Sequence, residues 1–187
     1  MFQMLNKIRR TPHLTLSFEE LTDAPLEIVG QKVEASVKKL FGGSFAIRSV
    51  AAGSSNAEEQ ELTALGNAYY DIERFGIRFV ASPRHADAIF VSGPVSRNMV
   101  QGLRHTYEAM PTPRLVVALG DGAIHGSLFK DSYAVVNRVA DIIPVDFDIP
   151  GDPPSPRQIL LSLLALFHDL DRLESQEDLE KTDDSRH

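Results

Sequence analysis

The chain contains no cysteine and no tryptophan among its 187 residues. Without thiols it cannot form a disulfide, a thiolate metal site or a cysteine nucleophile. The longest apolar run, Ile159–Phe167, is far shorter than the roughly 20 residues that span a bilayer. The net charge of −7 argues against broad electrostatic binding to nucleic acid. The first residues lack the apolar core of a signal peptide, so we expect a cytoplasmic protein that meets a membrane only through partners.

Hydrophobic residues make up 43% of the chain, enough for one well-buried domain. Apolar runs typical of strands alternate along it with helical patterns. The predicted strands are 44–52, 77–82, 86–93 and 114–120, followed by a short strand or extended segment at 145–151. The predicted helices are 29–43, 56–74, 96–110, 131–144 and 155–173. This alternation predicts an α/β fold in three layers, a central, mostly parallel sheet of about four strands with helices on both faces.

The composition also divides the chain into three parts. Residues 1–41 read as an N-terminal extension that contains the short amphipathic helix, and residues 42–175 as the main domain. Residues 176–187 are strongly charged and are expected to form a flexible tail.

Five loops follow the predicted strands, and in a parallel sheet we expect them to meet at one edge. They read "GSSNAEE", "SPRH", "SGPVSRN", "GDGAIHGS" and "PGDPPSP". One interpretation is an oxygen-rich metal site made by Ser55, Glu58, Asp152 and His125, and the alternative is ordinary polar loop residues. A serine–histidine–aspartate nucleophile is a further interpretation, but "GSSNA" lacks the strand-to-helix elbow pattern. "GDGAIHG" also lacks the spacing of a dinucleotide-binding fingerprint.

Three longer stretches resemble a known family. They are "YYDIERFGIRFVASPRHADAIFVSGPVSRNM", "YEAMPTPRLVVALGDGA" and "IPVDFDIPGDPPSPRQIL". Together they resemble the small electron-transfer subunit shared by respiratory complex I and membrane-bound nickel–iron hydrogenases, with the formate-hydrogenlyase type as the nearer form. The resemblance runs in order from about Ser49 to Leu166, and it implies a flavodoxin-like version of the α/β fold.

The resemblance also implies a 4Fe-4S cluster held by four cysteines, in turns that read like "GSCNGCE", "GxCA" and "PGCPP". In this chain the corresponding turns place Ser55, Glu58, Gly122 and Asp152 at the four ligand positions. Such a cluster is held by thiolates, and a glycine offers no side chain at all. We therefore expect neither this cluster nor another cofactor or metal, and the four residues are interpreted as degenerate cluster positions.

The expected role is a cluster-free structural subunit of a membrane-associated assembly. The resemblance implies a large-subunit homologue and membrane-arm subunits as partners, a place at the inner face of a membrane, and a contribution to ion or proton translocation. The alternative is a component of a redox-active NADH:quinone oxidoreductase- or hydrogenase-like enzyme whose electrons bypass this subunit. Catalysis by the chain itself is left open. Arg84, His85 and Arg97 are interpreted as interface residues, because the family's corresponding segment faces the large subunit.

Overall fold

The computed structural model describes residues 25–184, with the backbone alone for residues 174–184. Its centre is a five-stranded sheet in the order β2-β1-β3-β4-β5, and all neighbouring strands are parallel. The strands are β1 (Phe45–Ala51), β2 (Ile77–Phe79), β3 (Ala88–Ser92), β4 (Leu115–Leu119) and β5 (Phe147–Ile149). This order is that of the flavodoxin-like fold. The predicted α/β architecture is confirmed, with five strands where about four were expected.

Helices cover both faces of the sheet. They are α1 (Leu26–Phe41), α2 (Ala57–Ala64), α3 (Val100–Ala109), α4 (Asp121–His125) and α5 (Pro156–Asp184), and short 3-10 helices lie at Ile72–Phe75, Pro83–His85, Ser127–Phe129 and Val139–Asp141. Helices α1 and α5 pack on one face, where Phe45, Phe90 and Phe167 belong to the larger core. On the other face Ile89, Val116 and residues of α3 form a second core. The alternation of side chains along each strand supplies apolar residues to both cores.

The helix predicted within the N-terminal extension is α1, and it is part of the main core. Its apolar residues recur at three- and four-residue spacing, as a helix with one buried face requires. Val29, Val33, Val37 and Leu40 are all buried in the core that contains α5. Residues 1–24 of the predicted extension lie outside the described residues.

The last helix begins at the predicted cap and is longer than predicted. The Ser155 hydroxyl accepts a hydrogen bond from the Gln158 amide (3.3 Å), and the Gln158 side chain accepts one from the Ser155 amide (2.7 Å). This reciprocal pair satisfies two amide groups at the helix start, and Pro156 takes the first helical position. The backbone stays helical to Asp184, so helix continues into the segment in which a flexible tail was predicted.

Two aspartates fix where strands β3 and β5 begin. Asp87 precedes β3, and its carboxylate accepts a hydrogen bond from the Ala46 amide at 2.8 Å, while the Asp87 amide donates to the Ala46 carbonyl at 2.8 Å. Asp146 precedes β5 and repeats the arrangement with Val116, at 2.8 and 2.9 Å. These pairs satisfy backbone groups at the amino end of the sheet and hold its register.

Two predicted helices are wrong in extent. The helix predicted at 56–74 ends at Ala64, because the Asn67 side chain accepts hydrogen bonds from the amides of Tyr69 and Tyr70 and turns the chain. The helix predicted at 131–144 is absent apart from the 3-10 turn Val139–Asp141. Its first part instead forms an isolated antiparallel bridge to Ser96.

The expectation that all five loops crowd one edge is also wrong for "SPRH". Strand β2 ends where Phe79 pairs with Ile47, whereas β3 continues alongside β1 to the pair of Ser92 with Ala51. The loop after β2 therefore leaves the sheet four residues before the end of β1, roughly 13 Å short of the edge at about 3.3 Å per residue.

Candidate functional site

The loops that follow β1, β3 and β4 interlock at the carboxyl edge of the sheet. A Cβ atom added at Gly93 would lie 2.2 Å from the Ser54 nitrogen, so the turns after β1 and β3 are in direct backbone contact. A Cβ atom added at Gly122 would lie 3.0 Å from Pro94 Cδ and 3.1 Å from Gly93 Cα. The turn after β4 therefore closes tightly onto the turn after β3.

Hydrogen bonds join this arrangement to the loop after β5. The Gly120 amide donates to the Ile149 carbonyl at 2.8 Å, and the Asp121 amide donates to the Gly151 carbonyl at 2.8 Å. In return, the Gly151 amide donates to the Asp121 carboxylate at 2.9 Å. The turns that carry positions 122 and 152 are thus tied together by the protein's own groups.

Glu58, in the first turn of α2, enters the space between these turns. Its side chain is buried, with 4% of the residue exposed, and a Cβ atom at Gly120 would lie 2.8 Å from Glu58 Oε1. The other oxygen, Oε2, is buried without a hydrogen-bond partner in residues 25–173. Burial raises the pKa of Glu58, and repulsion from Glu59, Asp152 and Asp121 raises it further. A hydrogen bond from the Glu58 backbone opposes this rise in pKa without cancelling it.

The four degenerate cluster positions lie at this edge of the sheet, on two loops and at the starts of α2 and α4, and their side chains differ in exposure. Gly122 is buried beside Pro94, and Glu58 is buried against the neighbouring Gly120. Ser55 and Asp152 are exposed. The charge of Asp152 still acts on Glu58, so the loop after β5 is close to the start of α2. Their assignment as former ligands stays a prediction from the resemblance.

These residues do not fit a 4Fe-4S cluster. The side chains available at the four positions are one hydroxyl, two carboxylates and none at Gly122, whereas iron–sulfur clusters are held by thiolates. The loops have also closed around position 122, because even a single added carbon would meet Pro94 and Gly93 at 3.0–3.1 Å. The side chain of Glu58 further occupies space beside Gly120.

The alternative catalytic and metal interpretations gain no geometric support. Among the side chains described, those of residues 25–173, no three of histidine, aspartate or glutamate are grouped so that they could hold a metal ion. His125 is exposed at the end of α4. The Ser54 hydroxyl donates to the Glu59 carboxylate at 2.6 Å, so its partner is not the histidine that a nucleophilic triad needs.

Glu59 is the central polar residue that sequence reasoning missed. Its Oε1 accepts hydrogen bonds from the Ser54 hydroxyl and from the buried Ser92 hydroxyl at the end of β3. Glu59 thereby links the loop after β1, helix α2 and strand β3. In the sequence, the only indication of a role for Glu59 was its position in the loop "GSSNAEE". The fold is needed to show that Ser92 lies beside Glu59.

A cleft of about 500 Å³ opens beside Glu59, where the early end of β2 leaves β1 uncovered. Two buried polar atoms in it, Arg48 Nε and Glu59 Oε2, have no hydrogen-bond partner in the described part of the chain. The cleft can therefore receive a group that accepts a hydrogen bond from Arg48 or donates one to Glu59. It is lined by Arg48, Ser49, Glu59, Leu62, Thr63, Gly66, Phe79, Val80 and Ala81.

The three residues interpreted as interface residues lie on two separate connections of the chain. Arg84 and His85 are exposed on the 3-10 helix between β2 and β3, which packs near α3. Arg97 is exposed after β3, and its Nε donates to the Tyr133 carbonyl at 2.6 Å. Their accessibility is compatible with an interface, and that role stays a prediction.

Comparison of the sequence with known proteins finds one family. A family model described as "NADH ubiquinone oxidoreductase, 20 Kd subunit" matches residues 56–166. An NADH-quinone oxidoreductase subunit of Citrifermentans bemidjiense is 46% identical over 106 residues, which are 57% of this chain and 62% of that protein. An F(420)H(2) dehydrogenase subunit of Methanosarcina mazei is 42% identical over 106 residues, 57% of this chain and 58% of that protein. The chain thus spans about three-fifths of the length of these relatives.

Solved structures agree with this result. A chain of the membrane-bound sulfane sulfur reductase, an archaeal respiratory membrane complex, superposes with a TM-score of 0.62 at 30% identity, over 74% of this chain and 75% of that chain. A chain of an NAD+-reducing [NiFe]-hydrogenase shares the fold, with a TM-score of 0.52 at 19% identity, over 65% of this chain and 92% of that chain. Among residues 25–184, none of the helices is both long and apolar enough to cross a bilayer.

Proposed function

Because the chain belongs to the NADH ubiquinone oxidoreductase 20 Kd subunit family, we propose that it is a cluster-free structural subunit of a complex I-like or hydrogenase-like assembly. It docks against a large-subunit homologue at the inner face of a membrane. Through that contact it supports ion or proton translocation, while no electron passes through the chain itself.

The observation that carries this proposal is the state of the four ligand positions. All four carry residues other than cysteine, and the chain has no cysteine elsewhere to replace them. The loops pack tightly around Gly122, and Glu58 lies beside Gly120. An intact fold with closed ligand positions supports a role in assembly rather than in electron transfer.

The relatives support the partner part of the proposal. Those matched are named as subunits of NADH-quinone oxidoreductase and of F(420)H(2) dehydrogenase, and the sulfane sulfur reductase is an archaeal respiratory membrane complex. A protein that has lost its redox group but keeps the family's fold still offers that fold's surfaces to its neighbours. The cleft between Arg48 and Glu59, with its two unpartnered atoms, is one surface that a neighbouring chain can complete.

The test is cofactor content under conditions that favour a cluster. The full chain is purified without oxygen, incubated with ferrous iron, sulfide and a thiol reductant, and then desalted. We expect no stoichiometric iron or acid-labile sulfide to remain and no reduced-cluster EPR signal. Four irons per chain would overturn the proposal. A purified assembly that oxidises its substrate would instead favour the redox-active alternative, provided that the chain still contains no iron.

A further inference from the structure

Strand β1 has an uncovered edge beside the cleft at Glu59. On this side β2 pairs only as far as Ile47, whose carbonyl accepts the Val80 amide at 2.9 Å. On the other side β3 accompanies β1 to Ala51. Backbone groups of alternate residues point to the same side of a strand in a parallel ladder, so Ser49 and Ala51 direct theirs to the side that β2 has left. These amides and carbonyls are a template for one more extended segment.

Two polar atoms in the cleft also lack partners, and a peptide group suits both. Arg48 Nε is a donor and Glu59 Oε2 an acceptor, and both are buried without a hydrogen-bond partner within residues 25–173. A peptide group offers a carbonyl to the first and an N–H to the second. The cleft volume of about 500 Å³ greatly exceeds the roughly 30 Å³ of one water molecule, so it admits a short stretch of chain.

One face of the cleft is apolar and incompletely covered. Leu62 belongs to the larger core, and Phe79, two residues after Ile77 of that core, lies on the same face and is 39% exposed. Val80 packs against the second core and lies on the opposite face. A segment that fills the cleft therefore needs an apolar side chain at every second position, to cover Leu62 and Phe79.

The sequence before α1 contains a segment with this pattern. Residues 13–18 read "HLTLSF", in which Leu14, Leu16 and Phe18 alternate with polar residues. Strict alternation over such a length is typical of a strand with one buried face. The segment contains no aspartate, glutamate, lysine or arginine, so filling the cleft with it buries no further carboxylate, ammonium or guanidinium group.

The start of α1 brings this segment within reach of the cleft. Residues 42–44 alone join α1 to β1, so the helix and the strand run in opposite directions, and α1 begins towards the carboxyl end of β1. The 3.0 Å ion pair between Glu27 and Arg74 places this start on the β2 side of the sheet, where the cleft opens. From Phe18 to Pro25 the chain spans up to roughly 25 Å, about the full length of the seven-residue β1.

We infer that residues 13–18 add to the uncovered edge of β1 as a further strand and fill the cleft. Their backbone pairs with Ser49 and Ala51, and their alternate apolar side chains cover Leu62 and Phe79. A carbonyl and an amide of the segment satisfy the two unpartnered polar atoms. This contact belongs to the chain by itself and does not rest on the proposed function. A neighbouring chain that completes the cleft in an assembly displaces the segment.

Hydrogen exchange at the Ser49 amide of the full chain tests the pairing. The variant is the double change Leu14→Ser and Leu16→Ser, and the matched control, Leu5→Ser and Leu21→Ser, removes two leucines from the same part of the sequence. We expect exchange at least about tenfold faster in the variant than in the unaltered chain, because strand hydrogen bonds protect amides. The control should exchange like the unaltered chain. Amides of β4 should exchange equally slowly in all three proteins, which shows that the sheet itself is intact.

A disulfide scan tests where the side chains lie, because the chain has no cysteine of its own. The variants combine Phe79→Cys with Leu14→Cys, Leu16→Cys or Phe18→Cys, and the matched control combines it with Thr15→Cys. A disulfide needs Cβ atoms about 3.5–4.5 Å apart. Under mild oxidation we therefore expect at least one of the three variants to close within one chain at least about tenfold faster than the control.

Both results are expected together, and the failure of either overturns the inference. Equal exchange at Ser49 in the double variant and in the unaltered chain would show that residues 13–18 do not cover this edge. Closure of the Thr15→Cys control as fast as the variants would show that the segment does not turn its apolar face to Phe79. A disulfide that joins two chains, seen as a dimer on a non-reducing gel, would assign the edge to a second copy of the chain.

Discussion

Replacing Glu58 with glutamine should stabilise the protein at neutral and alkaline pH. The carboxyl group is buried beside Gly120, and burial followed by repulsion from Glu59, Asp152 and Asp121 raises its pKa. The ordinary value is 4.5, so between this value and the raised one the folded protein holds a proton that the unfolded chain releases. Stability therefore falls as the pH rises through this window and stays lower above it. Glutamine is neutral throughout and removes this loss.

The size of the effect follows from the cost of ionising a buried group, set against the contacts that favour its charge. The oxygen Oε2 has no hydrogen-bond partner among the described side chains, and ionising it costs about 1–3 kcal/mol in desolvation. Burial is the largest cause of the raised pKa, so the pKa shift expresses this same cost and is not added to it. Against this cost, a negative charge in the first turn of α2 contributes about 0.3–1 kcal/mol through the helix dipole, and a hydrogen bond from the Glu58 backbone also favours the charged form. Because the net pKa shift is upward, we expect Glu58→Gln to gain about 1–2 kcal/mol at pH 8, and the gain to vanish near pH 4.

Urea unfolding of both proteins at intervals from pH 4 to pH 8 measures this difference. Glu61→Gln is the matched control, because it removes the same charge from the same helix outside this contact with Gly120. The midpoint of Glu58 itself can be read from the carbon-13 signal of its carboxyl group. A Glu58→Gln variant that is less stable than the unaltered protein at pH 8, or a difference that does not change with pH, would refute the reasoning.

Two further changes test the packing of the same fold by urea unfolding. Gly122→Ala should lower the free energy of unfolding by about 1–3 kcal/mol, because its Cβ would meet Pro94 and Gly93 at 3.0–3.1 Å. The control Gly102→Ala in α3 meets nothing closer than 3.7 Å and should raise that free energy by about 0.5–1 kcal/mol. Equal effects of the two changes would contradict the tight packing around Gly122. Asp87→Ala should lower the free energy of unfolding by about 1–3 kcal/mol, because it removes the hydrogen-bond acceptor of the Ala46 amide. Hydrogen exchange at the Ala46 amide should become faster. An unchanged exchange rate would show that this hydrogen bond does not protect the amide.

The sheet was predictable because its strands are continuous apolar runs between turn residues. The strand predicted at 114–120 corresponds to Leu115–Leu119, and the one predicted at 86–93 to Ala88–Ser92. The prediction for β2 was too long, because the end of this strand depends on its pairing with β1. The Val80 amide still donates to the Ile47 carbonyl, but the chain then crosses towards β3. Local sequence carries no information on where a neighbouring strand stops offering hydrogen bonds.

The two helix predictions that were wrong in extent have a related cause. Segments 56–74 and 131–144 contain apolar residues at helical spacing, yet asparagine side chains bind the backbone and end the pattern. Asn67 does so after α2, and Asn137 does so by accepting the Asp131 amide. The exposure of Tyr133 could not be foreseen either, because a helix at 131–144 would have buried part of that segment.

In the candidate site, too, the sequence indicates residue types but not which of them lie together. The four degenerate positions remain a prediction from the resemblance of the turns, while the burial of Glu58 and the link from Glu59 to Ser92 depend on segments far apart in the sequence. Residue types alone indicated two acidic residues and a serine, without the distances between them. Only the packing of the loops after β3 and β4 shows that Glu58 lies in a buried space that disfavours its charged form.

The glycine turns after β4 and β5 meet needs of the backbone itself. Gly120 and Gly151 have φ angles of 85° and 139°, values that side-chain-bearing residues rarely adopt. A Cβ atom at Gly151 would also lie 2.6 Å from Pro154 Cα, and Asp121 spans the two turns through hydrogen bonds to Gly151. These residues fix the turns through the backbone and through one another. The likeness of the turns is therefore evidence for the fold rather than for redox chemistry.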